Sequence, residues 1–341
     1  MRAVAVVTPG KVEVVELGKP APGPYQALVK TEVACLCNAT DGKLVAGHFP
    51  GVDRYPLVLG HEGAGIVQAV GDRVRHFKPG DRAIGGLLFE FSDPEYSSGW
   101  GGFCEYTLAN DHDAMAADGA ADAAHGWFEC YEIQRRVDPD IPVEAAALLC
   151  TWREVYGGFG DFHLEAGNRL LVFGGGPVGL SFVKFGRLLG LKWIGLVDPV
   201  ESKRKRALKM GADAVFAPGS PEIGALGKSL DAVVDAVGSE GIVNAALPLV
   251  RMGGSVCVYG VISAERLAVQ KSAGPYNFNL YVHQWPTRWR EREAQAPLCR
   301  WIREGKLSAR EYVTHEFPLE RVGEALEAVR GGEVVKCLLR Y

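Results

Sequence analysis

Arg169–Asp198 reads RLLVFGGGPVGLSFVKFGRLLGLKWIGLVD, and the order of its signals decides the fold. Leu170–Phe173 is an apolar run too short for a helix and suited to a buried parallel strand. Gly174-Gly175-Gly176-Pro177-Val178-Gly179 then fits G-x-G-x-x-G at the mouth of a helix, and Trp193–Val197 is a second apolar run that ends in Asp198. Dinucleotide-binding units place an acid about 20 residues beyond the glycine turn. Asp198 stands nineteen beyond Gly179. Gly174 permits the tight turn, Gly176 lets the backbone approach a pyrophosphate, and Gly179 lets helix and strand pack closely. The helix N-terminus offers N–H groups and a positive dipole end to phosphates. Asp198 is suited to accept hydrogen bonds from the adenosine ribose and to repel a 2′-phosphate, so NAD is expected. A glycine-rich turn alone is common; strand, turn, helix, strand and acid in succession carry the assignment.

Working outward, the pattern after the turn stays βαβ. A helix is expected over 177–190, a second over Ser202–Met210 stopped by Gly211, and a third stretch around 219–228. Strands are expected at Ala214–Phe216, Asp231–Asp235 and Ser255–Gly260, with a helix over Gly241–Arg251. This alternation implies a parallel doubly wound sheet. Upstream, residues 1 to about 110 read as all-β, with Ala3–Val7, Val12–Leu17, Gln26–Ala34 and Gly65–Val70 separated by Pro/Gly turns. The Ala/Asp-rich segment from Asp111 reads as a surface loop or short helix, and a helix starts at Pro142 and runs into Cys150. Downstream come a charged helix over Arg288–Glu304, Thr314–Phe317, a helix over 319–330 and a last strand, Val334–Leu339.

The chain of 341 residues suggests about two domains, and 48% hydrophobic with 23% charged content is that of a soluble globular protein. A net charge of −4 gives no pull towards nucleic acid or anionic membrane. The basic run Lys203-Arg204-Lys205-Arg206 is read as a solvated helix face; a place beside the adenosine, leaving room for NADP, is the alternative. No apolar run of secretory-signal length follows Met1-Arg2, so no secretory signal is expected, and glycines, Lys184 and Arg187 interrupt the longest apolar region, so no membrane span is expected. Eight scattered cysteines then point to thiols in a reducing cytoplasm, some of them candidate metal ligands.

A second set of signals lies upstream: Cys37-Asn38-Ala39-Thr40-Asp41 after a strand, Gly60-His61-Glu62, and Cys150 at the end of its helix. Each alone has an ordinary reading, since a buried free Cys is usually a small core residue and a lone His is usually structural. Together with Val70-Gly71-Asp72, Pro79-Gly80-Asp81, Gly101-Gly102-Phe103-Cys104-Glu105-Tyr106, Ala145–Cys150, Gly174–Gly179, Asp235-Ala236-Val237-Gly238 and Val335-Lys336, they form an ordered series over nearly the whole chain. In that series the chain resembles the medium-chain dehydrogenase/reductase superfamily, and within it the zinc-dependent alcohol and polyol dehydrogenases.

The resemblance implies a GroES-like, β-rich catalytic domain over 1–150, completed by 284–341, and a Rossmann NAD(P)-binding domain over 151–283. It implies Cys37, His61 and Cys150 as ligands of a catalytic zinc, a Cys₂His shell whose open fourth position takes water or alcohol and lowers the alcohol's pKa. Glu62 becomes an exchangeable neighbour of the metal, Asp41 the partner that orients His61, Thr40 the hydroxyl that contacts the alcohol, and Lys43 a relay residue. Pro177, Val178, Lys203, Val237, Gly260 and Lys336 join Gly174, Gly176, Gly179 and Asp198 as cofactor contacts, with Lys336 on the pyrophosphate. The family spacing is one residue shorter between Cys and Asp. A gapless register would put Asn38 at the ligand position; a bulge that restores Cys37 is favoured, with Cys35 the alternative. Only Cys104 stands where relatives carry four cysteines, so no structural zinc is expected.

The expected substrate is a secondary alcohol, polyol or sugar-type hydroxyl, oxidised by a homodimer or homotetramer. Side chains from Lys43–Phe49, Phe89–Trp100, Trp152–Glu154 and the 111–138 insertion would approach it. Trp100, Trp127, Trp152 and Trp285 are read either as pocket walls or as core packing. The alternatives are a zinc-free NADPH-dependent enone or quinone reductase of the same superfamily, and a nucleotide-binding redox sensor without catalysis.

Overall fold

Six parallel strands carry the glycine turn. In the computed structural model, which describes residues 1–285 and 287–341, they lie in the order Ala214–Phe216, Trp193–Val197, Arg169–Phe173, Leu230–Asp235, Val250–Val258, Asn279–Val282. Leu170, Leu171, Val172, Ile194, Leu196, Val233 and Val234 are buried, as a sheet covered on both faces requires. Strand order reverses between Arg169–Phe173 and Leu230–Asp235, the switch point where such sheets bind ligands. The glycine turn, Asp198 and the Asp235–Gly238 turn all follow the carboxyl ends of these neighbouring strands. Helix Pro177–Leu188 packs Phe182 against Phe159 and Phe162, with ring centroids 5.3 and 6.1 Å apart. This unit covers Thr151–Ala294.

Three sequence expectations change here. The helix expected to Arg251 ends at Ala246, and its strand begins at Val250; Pro248 lacks an N–H and disfavours helical backbone before it. The helical stretch around 219–228 shrinks to Pro221–Gly224, and Asn279–Val282 adds a four-residue edge strand too short to stand out in the sequence.

Met1–Cys150 with Gln295–Tyr341 forms the second unit. It holds a seven-stranded sheet and a four-stranded one. The central strand Gln26–Leu36 pairs on one side with Lys336–Arg340 (Cys337 opposite Leu36) and on the other with Gly63–Val70 (Ala34 opposite Gly63). Cys35 to Cys37, His61-Glu62 and Lys336 are thereby gathered at one end of three adjacent strands. The core beneath them includes Val4, Leu36, Leu44, Leu57, Leu59, Phe103 and Leu339.

The all-β reading of the first 110 residues is corrected by a helix, Thr40–Ala46. Its stop signal is Gly47, left-handed at φ 73° as a helix C-terminus favours. The segment after Asp111 is a helix, His112–Ala117, then two 3₁₀ turns and the strand Arg135–Val137. It carries its own small core of Met115, Ala120 and Tyr131 with Trp127 and Cys130. Asp111 fastens it: its buried carboxylate accepts hydrogen bonds from the N–H groups of Arg75, His76 and Ala114 at 2.7, 2.8 and 3.0 Å. No helix among the described residues is long and apolar enough to cross a membrane.

Candidate metal and cofactor sites

Cys37 leaves the central strand where two turn residues lead into helix Thr40–Ala46. The turn brings the Asp41 carboxylate back onto the Cys37 N–H at 2.8 Å, while the Asp41 N–H donates to the Cys37 carbonyl at 3.0 Å. This closed loop fixes the Cys37 backbone beside Asp41, and Cys37 groups with His61 and Glu62. Cys35 is fully buried in the strand. Gly60 sets the approach of His61: at φ 102°, a Cβ there would lie 2.2 Å from the Phe103 ring.

The Cys37 sulfur and one ligand atom each from His61 and Glu62 lie within 4.8 Å of one another. Cys150, buried at the middle of helix Val143–Asp161, is outside that mutual limit among the described residues. It lies close enough to Cys35 to act on that thiol electrostatically; burial first, then Glu62, Cys150 and Cys337, push Cys35 well above the ordinary thiol range, against Lys336. His61 Nδ1 faces Asp41 Oδ1 at 3.7 Å and His61 Nε2 faces Glu62 Oε1 at 3.7 Å, too long for hydrogen bonds. His61 Nδ1 and Asp41 Oδ1 are buried and make no hydrogen bond. Burial pushes the Asp41 carboxyl up to about 7, with His61 pulling it down. Thiol, imidazole and carboxylate so gathered, with an acid behind the imidazole, form a donor set that fits zinc.

Thr40 and Asp41 are both buried at the start of their helix. Lys43 lies half-buried one turn on, and burial lowers its ammonium pKa. Lys336, expected on the pyrophosphate, is buried with its Nζ 2.5 Å from Glu62 Oε2. Burial alone would lower its pKa, but Glu62 first, then Cys37 and Cys35, hold it above the ordinary range. Cys104 is a core residue of the four-stranded sheet region, packed with Ala3, Ala5 and Val58. Cavities of about 490 and 540 Å³ elsewhere in this unit are lined by none of the metal-site residues.

In the other unit, Gly174 sits at φ 103°. A Cβ on Gly179 would stand 1.8 Å from the Gly174 carbonyl oxygen, whereas one on Gly176 would meet nothing within 4 Å. The turn is therefore tight where helix meets strand and open at Gly176, where a pyrophosphate fits. Pro177 is the first helical residue and Val178 follows it. Asp198 Oδ2 accepts the Gly175 N–H at 2.6 Å and Oδ1 accepts the Val200 N–H at 2.8 Å. One acid thus ties the turn to the second strand, leaving each oxygen a further lone pair. The Lys203 Cβ stands 3.1 Å from where a Gly175 Cβ would be, beside that acid. Val237 is half exposed next to Gly174, and Gly260 packs against Gly238 with no room for a side chain.

Sequence reasoning missed two features, the Asp235 turn and the Lys336–Glu62 pair, and it did not say what Trp100, a candidate pocket wall, packs against. Asp235, fully buried, holds the Val237–Ser239 turn by accepting its three N–H groups at 2.8–2.9 Å. The Lys336–Glu62 pair joins residues 274 apart and had no local signal. Trp100 stands beside His61, ring centroids 5.9 Å apart; two glycines after it were the visible hint of an unusual backbone.

Residues 23–119 match the family model of the alcohol dehydrogenase GroES-like domain, and residues 177–281 that of zinc-binding dehydrogenases. The chain is 27% identical to the NDMA-dependent alcohol dehydrogenase of Amycolatopsis methanolica, covering 98% of this chain and 96% of the relative. It is also 27% identical to the S-(hydroxymethyl)glutathione dehydrogenase of Saccharomyces cerevisiae, covering 99% and 95%. The structure of an alcohol dehydrogenase from Thermus sp. ATN1 superposes with a TM-score of 0.79 over 100% of this chain and 99% of its own, at 24% identity. With a GroES-like domain, a Rossmann-like parallel sheet and a thiol–imidazole–carboxylate group, the chain belongs to the zinc-type medium-chain dehydrogenase/reductase superfamily and is an alcohol dehydrogenase-type oxidoreductase.

Proposed function

We propose that this protein is a zinc-dependent, NAD-linked dehydrogenase that oxidises a secondary alcohol, polyol or sugar-type hydroxyl, and that it works in the cytoplasm as a homodimer or homotetramer. The observation that carries the reading is the gathering of Cys37, His61 and Glu62 within 4.8 Å, with Asp41 behind His61. When bound, zinc supplies the acidity that loosens the alcohol proton and NAD supplies the hydride acceptor.

The chain's own groups do the rest. Cys37, His61 and Cys150 hold the metal, and Glu62 is an alternative carboxylate ligand within reach. Asp41 stands behind the imidazole, its Oδ1 3.7 Å from Nδ1 and placed to orient the ring once the site tightens around a metal, and it fixes the Cys37 backbone with its other oxygen. The Thr40 hydroxyl accepts the alcohol proton's hydrogen bond and Lys43, its pKa lowered by burial, passes the proton on. Gly174, Gly176 and Gly179 with the helix N-terminus seat the pyrophosphate, and the remaining lone pairs of Asp198 take the ribose hydroxyls.

The test is reduction of NAD and of NADP by purified protein over a panel of alcohols and polyols, before and after chelation. NAD-dependent turnover that is lost with the metal and returns with added zinc supports the proposal. Strict NADPH-dependent enone reduction by metal-free protein would overturn it. So would nucleotide binding with no turnover on any alcohol.

A further inference from the structure

Trp100 holds a backbone conformation that a bulky side chain disfavours. Its φ is 71°, in the left-handed region, and Gly101 follows at 63°. Four hydrogen bonds keep it there. The Trp100 carbonyl accepts the Leu88 N–H at 3.1 Å, Gly99 and Gly101 donate to the Val58 carbonyl at 2.7 and 3.3 Å, and Gly102 donates to the Gly60 carbonyl at 2.7 Å. Val58 and Gly60 lead directly into His61, so this stitching fixes the indole relative to the imidazole. The two ring centroids are 5.9 Å apart with planes at 56°. On its other side the indole meets Phe49 edge-on, 5.3 Å away at 80°. Phe49 follows the helix that carries Thr40, Asp41 and Lys43. Both aromatic rings are partly buried and pack against the core.

A core ring does not need a left-handed residue beside a metal-ligating histidine; strain kept at such a place marks a functional constraint. Resting on the dehydrogenase reading above, we propose that Trp100, backed by Phe49, is the wall that sorts alcohols by the substituent on the reacting carbon, and that it selects secondary alcohols bearing an aromatic group over polyols. A hydroxyl held at the Cys37–His61–Glu62 group brings that substituent within reach of a ring that itself touches His61. An aromatic substituent gains edge-on or offset ring contact there. A polyol would press hydroxyls against carbon and lose their hydrogen bonds to water.

The experiment compares kcat/KM for 1-phenylethanol, 2-propanol and sorbitol in the zinc-loaded protein with NAD. The wild type is expected to favour 1-phenylethanol over sorbitol. Trp100→Gly, which meets the left-handed backbone without strain, should lower kcat/KM for 1-phenylethanol about tenfold, mainly through KM, and change 2-propanol less than about twofold. Trp100→Leu, which keeps apolar volume where Gly adds backbone freedom, should show the same selective loss, and Trp100→Phe should restore most of the activity. Equal losses on both alcohols, a Leu variant as good as Phe, or a wild-type preference for sorbitol overturns the wall and leaves the dehydrogenase standing. Turnover with no alcohol at all overturns both.

Discussion

Lys336→Met isolates the buried pair at the metal site. Lys336 Nζ and Glu62 Oε2 are 2.5 Å apart, with side chains 1% and 5% exposed. At an effective dielectric of about 20, their attraction is about 6–7 kcal/mol. Desolvation of two buried ions takes back several kcal/mol for each, so the intact pair adds little net stability. Removing one partner is different, because Glu62 then stays buried beside Cys37 without its ammonium partner; the expected loss is about 3–5 kcal/mol. Adding Glu62→Gln to Lys336→Met removes the stranded charge, so the double variant should recover about half of that loss or more. Bound zinc gives Glu62 another cation, so the loss in chelated protein should exceed the loss in zinc-loaded protein. The assay is urea unfolding of the four members of the cycle, with and without chelator, following the transition of the unit that holds the pair. A Lys336→Met loss below about 1 kcal/mol, or costs that simply add, would refute the reasoning.

Three further outcomes follow from single residues. Cys37→Ala should abolish stoichiometric zinc while Cys35→Ala keeps it, read by elemental analysis; the reverse would show that the bulge does not set the register. Asp111→Asn should cost about 2–3 kcal/mol at pH 7, because a buried carboxylate that receives three backbone N–H groups is replaced. Although burial pushes Asp111 up, the N–H groups of Arg75, His76 and Ala114 and the His76 ring hold its pKa below the ordinary carboxylate range. A depressed folded pKa gives stability that is present above the unfolded value and is lost as pH falls through the folded one, so the gap between wild type and variant should close below about pH 4 in urea titrations. Gly179→Ala places a methyl 1.8 Å from the Gly174 oxygen, which should cost about 3 kcal/mol and abolish NAD binding, measured by unfolding and by nucleotide fluorescence.

The middle of the parallel sheet was legible because its central strands are buried and therefore read as apolar runs, and the half-buried edge strand Ala214–Phe216 is short but wholly apolar. Leu170–Phe173 and Ala214–Phe216 stand where their residues imply. The helix at Thr40–Ala46 was not legible, since Thr40-Asp41-Gly42-Lys43-Leu44-Val45-Ala46 is too short for a 3.6-residue period to show. At the metal site, the loop that ties Cys37 to Asp41 is invisible in composition, because it is made by hydrogen bonds between the Cys37 backbone and the Asp41 carboxylate and N–H. The partners of Lys336 and Trp100 come from strand pairing and loop stitching across long separations, and no periodicity reports those.

The most direct test of the account is the zinc content of freshly purified protein, measured per chain by elemental analysis. About one zinc per chain is predicted, lost in His61→Ala and kept in Cys104→Ala. Protein that retains no zinc, even after exposure to it, would contradict the account, as would zinc that survives His61→Ala.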